Sequence, residues 1–138
     1  MGTLKLNGFF VLAITVLISC NSHPDFDLTG KWTAIDKDST SFEINIIQNN
    51  LKISGDYCAI TGDGFHIDCW LEGEYKTPPL KGQIENNIME IDFDIAYSGG
   101  KGFATLEYFV DSRTLIWKLD SSKQITFCPD TIELKKEK

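Results

Sequence analysis

The stretch Glu90–Ile95, EIDFDI, alternates without error, with Ile91, Phe93 and Ile95 on one side and Glu90, Asp92 and Asp94 on the other. A two-residue repeat matches the β-strand, whose side chains leave opposite faces in turn. One apolar and one charged face mark an antiparallel strand with a core behind it and water in front. Working outward, Ser41–Gln48 repeats the pattern, with Phe42, Ile44 and Ile46 opposed to Glu43 and Asn45. Turn-forming residues punctuate the chain at Asn49-Asn50, Asp63-Gly64, Pro78-Pro79, Asn86-Asn87, Gly99-Gly100, Asp111-Ser112 and Ser121-Ser122. Each supplies a tight bend or a conformation that strands cannot use. Between them we expect roughly eight or nine strands, near 29–36, 42–48, 51–59, 66–75, 80–86, 88–96, 102–110, 113–120 and 124–128. No longer segment has a helical period. So many short strands leave open edges unless the sheet closes on itself. The expectation is all-β: a small antiparallel up-and-down β-barrel of about eight strands.

The N-terminus is of another kind. Residues 1–20 read MGTLKLNGFFVLAITVLISC, with one charge at Lys5 and an apolar run from Phe9 to Ile18. About ten residues are too few to cross a bilayer, which takes roughly 17–25, and suit a secretory signal. Leu17-Ile18-Ser19-Cys20 resembles the lipobox of bacterial lipoproteins, with Ile18 bulkier than that pattern usually carries. The resemblance implies a signal peptide over 1–19, cleaved before Cys20, and Cys20 acylated on its thiol and its new amino group. The lipid bilayer is then a partner through acylated Cys20, since several acyl chains suffice for stable anchoring. Asn21 is not the aspartate linked to inner-membrane retention, so the resemblance implies the cell envelope and the outer membrane, facing the periplasm. Residues 20–28 form the lipidated cysteine and a short tether, and 29–138 the barrel domain. Gly30-Lys31-Trp32 is similar to the Gly-x-Trp that opens the first strand of lipocalin-like barrels, where the tryptophan plugs the closed end.

Loss of residues 1–19 removes one Lys from 13 Lys and Arg, leaving 12 against 20 Asp and Glu, formally −8. Nucleic acid, which needs a basic footprint, is excluded as an expected partner. A cationic partner is favoured. The terminal Lys135-Lys136-Glu137-Lys138 reads as a solvated tail.

Cys58, His66 and Cys69 lie within YCAITGDGFHIDC, residues 57–69. They suit a disulfide staple, a metal or redox pair, or unpaired thiols. An extracytoplasmic compartment favours the disulfide. If Asp63-Gly64 centres a hairpin turn, facing residues have numbers summing to 127, which sets Cys58 opposite Cys69 in a non-hydrogen-bonded pair. His66 then falls on the other face, where it reads as a solvated hairpin residue. No fourth ligand or Cys-x-x-Cys spacing supports a metal. Cys128 is left as a small buried hydrophobe of the last strand, a thiol for a partner, or the mate of one of the other two.

No catalytic constellation, metal site or cofactor motif emerges, so the chain reads as a non-enzyme. Gly99-Gly100-Lys101-Gly102 lacks the order of a phosphate loop. Asp36, Asp38 and Ser39 lack the glycine and final glutamate of a calcium loop. The unusual feature is Glu90, Asp92 and Asp94, spaced about 6.8 Å apart along one strand face. These three, with Glu43, are the candidate partner-binding residues. The small-lipoprotein architecture is similar to that of periplasmic lysozyme inhibitors and of immunity lipoproteins against secreted toxins. That likeness implies a bound and neutralised cationic protein such as a lysozyme or toxin. The alternatives are a lipocalin-like carrier of a small apolar ligand and a structural envelope lipoprotein.

Overall fold

The computed structural model describes residues 23–138, so the expected cleavage and acylation at Cys20 lie outside the described residues. Nine strands follow in order: β1 (Gly30–Ile35), β2 (Ser41–Asn49), β3 (Lys52–Ile60), β4 (Ile67–Cys69), β5 (Leu80–Glu85), β6 (Ile88–Asp94), β7 (Lys101–Phe109), β8 (Thr114–Ser122) and β9 (Thr131–Lys136). All pairings are antiparallel, and β1, β2, β3, β5, β6, β7, β8 and β9 form a closed ring of neighbours. The eight-stranded up-and-down barrel is therefore present, with β4 as a short ninth strand on the far half of β3. The ring closes between β1 and β9 through the pairs Trp32↔Lys136 and Thr33↔Lys135. Glu137 adds an N–H donated to the Lys31 carbonyl at 2.9 Å.

The alternation of the sequence becomes the barrel wall. Ile91 and Phe93 face inward from β6 while Glu90 and Asp92 face water; Phe42, Ile44 and Ile46 do the same from β2. Asparagines at two hairpin turns, Asn50 and Asn86, take the left-handed conformation at φ 55° and 59°, which their short side chains tolerate. The lumen is full. Trp117 stacks between Phe42 at 5.0 Å and Phe93 at 5.3 Å, and Tyr57 meets Phe93 edge-on at 5.4 Å. Each buried aromatic contributes on the order of 2–3 kcal/mol through burial. One glycine is required by this packing: a Cβ at Gly55 would stand 1.8 Å from the Asn45 carbonyl oxygen of β2.

Two expected strands are corrected. The one placed at 66–75 ends at Cys69, and Gly73 and the prolines 78–79 lead a loop back to β5. The last strand runs over Thr131–Lys136, not 124–128, so Lys135 and Lys136 are wall residues and not a solvated tail. Ile132 and Leu134 carry its inward face; the adjacent lysines masked that short alternation. Cys128 is buried, but in the loop before β9 and not in a strand.

The ends of the barrel differ. Residues 23–29 enter beside the β2–β3, β5–β6 and β7–β8 turns, where His23, Pro24 and Phe26 adjoin Leu51, Asn86 and Val110. Trp32 seals this tether end, with its indole N–H donated to the Leu28 carbonyl at 2.8 Å and its ring 6.1 Å from Tyr108. The opposite, distal end carries the β1–β2 loop, the β3–β4 hairpin tip, and the loops preceding β5, β7 and β9.

Candidate functional site

The β6 carboxylates lie on the outer wall as expected, but they have company. Asp92 sits across from Lys81 of β5, Asp94 is ion-paired with Lys101 of β7, and Glu90 faces Gln83 and Thr105. Flanking lysines thus relieve part of the mutual repulsion. Glu90 and Asp92 border a shallow depression of about 630 Å³ whose other walls include Ile47, Lys52, Ser54 and Lys81. Glu43 is not brought to this group. It lies on β2, with β3 and β5 between it and β6, and pairs with Lys31 at 3.0 Å.

The hairpin register is the one the turn dictates. Cys58 faces Cys69, Ala59 faces Asp68 and Ile60 faces Ile67. Thr61 donates its N–H to the His66 carbonyl at 3.0 Å, and Trp70 donates to the Tyr57 carbonyl at 3.0 Å. These flanking bonds leave Cys58 and Cys69 as a non-hydrogen-bonded pair, joined as a disulfide on the outer face. Cys128 lies buried at the distal end, so it is not the mate of either. Burial pushes its thiol up, away from the reactive thiolate.

The same register turns Asp68 inward, and here the distal end is tied together. Asp68 is fully buried and accepts four hydrogen bonds. Tyr57 Oη donates at 2.8 Å and the Tyr97 N–H at 3.1 Å to one carboxylate oxygen. Thr126 Oγ1 donates at 2.6 Å and the Phe127 N–H at 3.0 Å to the other. Tyr57 Oη also accepts the Ala96 N–H at 3.1 Å, and Trp70 Nε1 donates to the Asp94 carbonyl at 2.7 Å. One side chain on a three-residue strand therefore fixes the loops before β7 and β9 against the barrel. Burial holds the Tyr57 phenol well above its ordinary range.

Over this knot lies an aromatic cluster. Phe127 packs against His66 at 4.4 Å, with the rings tilted, and meets Tyr97 edge-on at 4.7 Å. His66 is thus a packed residue, its Nδ1 3.9 Å from an Asp63 oxygen. Asp63 shapes the tip by accepting bonds from Thr61 Oγ1 and the Phe65 N–H, which hold its carboxyl below the usual range. Neither the knot nor the cluster was read from the sequence. A signal existed, because the register that pairs Cys58 with Cys69 sets Asp68 beside Ala59 on the inward face. An acid in that position needs buried donors.

Among the described residues no group of three or more His, Cys, Asp or Glu is placed to hold a metal ion. No family model matches this chain, and no curated protein or solved structure matches it.

Proposed function

We propose that this chain is an envelope lipoprotein, anchored through acylated Cys20 at the outer membrane and facing the periplasm, that binds a cationic protein and neutralises it. The proposed manner is that of lysozyme inhibitors or toxin-immunity lipoproteins. The observation that carries the reading is the distribution of charge. With every strand of the ring cut at its midpoint, the distal half holds 13 Asp and Glu against 6 Lys, formally −7. The tether half holds 7 acids against 6 Lys and Arg, formally −1. A one-ended acidic field steers and holds basic proteins.

The tether supports the same orientation. Leu28 is buried, and Phe26 stacks on Tyr108 at 4.9 Å, so little chain is left free between Cys20 and the barrel. Six extended residues reach at most about 20 Å. The near-neutral end would then face the lipid and the acidic end would face away. The packed lumen weighs against a carrier, because a small apolar ligand would have to displace Trp117, Phe42 or Phe93.

The test is affinity capture with residues 21–138 immobilised against envelope and secreted extracts and a panel of basic lysozymes, washed at low and at 0.5 M salt. The reading expects a cationic protein retained at low salt and weakened at high salt. Retention only of small apolar molecules, or of nothing, would overturn it.

A further inference from the structure

Resting on that reading, we propose that the docking surface is the distal aromatic crown, built on His66, Tyr97 and Phe127 with Phe65 and Ile125 beside them, and that its occupant is a folded cationic protein presenting an apolar protrusion ringed by Lys or Arg. Phe65 is 86% exposed, Ile125 66% and Tyr97 53%, and all belong to loops at one end of the barrel. Single exposed apolar residues are ordinary, but several on loops that flank the packed His66–Phe127–Tyr97 cluster mark a contact surface.

The crown is also held still. Asp68 anchors the backbone N–H of Tyr97 and of Phe127, Phe127 packs against both His66 and Tyr97, and the Cys58–Cys69 bond locks the hairpin that presents Phe65 and His66. Aromatic anchors fixed before binding lose little entropy on contact and are the groups on which interface energy concentrates. Charge names the occupant. Two copies meeting crown to crown would oppose two halves of formal charge −7, which disfavours self-docking. The chain enters the barrel at the opposite end, so neither the tether nor the anchoring membrane covers the crown. A basic surface satisfies both features, and an arginine there would gain further by stacking on exposed tyrosine or phenylalanine rings.

The experiment titrates ¹⁵N-labelled residues 21–138 with three cationic proteins of different fold: a basic lysozyme, a cytochrome c and a pancreatic-type ribonuclease. Amide shifts and Kd are measured for the parent, for Phe65→Ser/Ile125→Ser, and for Glu90→Gln/Asp92→Asn. Both pairs are exposed, so the variants keep the fold, which the spectra verify. The proposal expects saturable binding of at least one protein, shifts at 61–66, 95–100 and 123–130, a Kd raised tenfold or more by the crown variant, and less than threefold by the β6 variant. Loss in the β6 variant alone overturns the crown and leaves the cationic-partner reading standing. Binding of none of the three overturns both. A dimer in sedimentation that the crown variant abolishes overturns the choice of occupant in favour of a second copy.

Discussion

Replacing Asp68 with alanine tests the knot that shapes the distal end. The carboxylate accepts four hydrogen bonds at a fully buried position. Tyr57 Oη keeps another acceptor, the Asp94 carbonyl at 3.1 Å. The N–H groups of Tyr97 and Phe127 and the Thr126 hydroxyl, whose bond from the Cys128 N–H uses it only as an acceptor, have no such fallback, and an orphaned buried donor costs about 1–3 kcal/mol. With these donors part-buried, the Tyr57 bond to the carboxylate also lost, and part offset by no longer burying a charge, the expected destabilisation is about 3–5 kcal/mol. That is a large share of the roughly 5–15 kcal/mol a domain possesses. At about 4 °C per kcal/mol for a chain of this size, the melting temperature falls by roughly 12–20 °C. Urea unfolding of residues 21–138, followed by tryptophan fluorescence and by circular dichroism, measures it. Asp68→Asn should lie in between, because its amide turns a donor toward a donor on one side. An Asp68→Ala protein within 1 kcal/mol of the parent would refute the knot as the device that closes this end.

Three further outcomes follow from the same structure. Cys58→Ala/Cys69→Ala should lose about 3 kcal/mol, the chain-entropy value for so short a loop; a loss below 1 kcal/mol in urea titration would contradict the staple. Gly55→Ala has no room beside the Asn45 carbonyl, so β2 and β3 must part, and a melting temperature lowered by less than 4 °C would show that the wall is not tight there. Tyr57 is held above its ordinary range by burial, and Tyr75 is pushed up to about 12 by its hydrogen bond to Asp56. Their contribution is therefore complete below the unfolded phenol value near 10 and declines as pH rises toward 12. Denaturant midpoints should agree at pH 8 and 9 and drop at pH 11, with Tyr75→Phe flattening part of the fall; equal midpoints at pH 8 and 11 would contradict it.

The strands were legible where alternation was long enough to count, as in β2 and β6, and the barrel followed because that many strands need closure. The cysteine register was legible because a turn fixes pairing by arithmetic. β9 was not, because Ile132 and Leu134 supply only two apolar positions before a lysine run, and its place in the wall is decided by β1 and β8 on either side. The carboxylate stripe looked isolated because sequence shows only its own strand, whereas Lys81 and Lys101 come from neighbours. The distal crown was hidden for the same reason. His66, Tyr97 and Phe127 are far apart in sequence and meet only when Asp68 gathers their loops.

The claim that this protein is tethered at one end and works at the other is most directly tested in living cells, with the full-length chain carrying a photo-crosslinking phenylalanine analogue at position 65, 90 or 43. The account predicts a covalent adduct with one cationic protein from position 65, little or none from 90 or 43, and recovery of that adduct with the outer membrane, a location lost in a Cys20→Ser chain that cannot be acylated. Adducts from position 90 and none from 65 would contradict it, as would a chain recovered with the outer membrane equally well without Cys20.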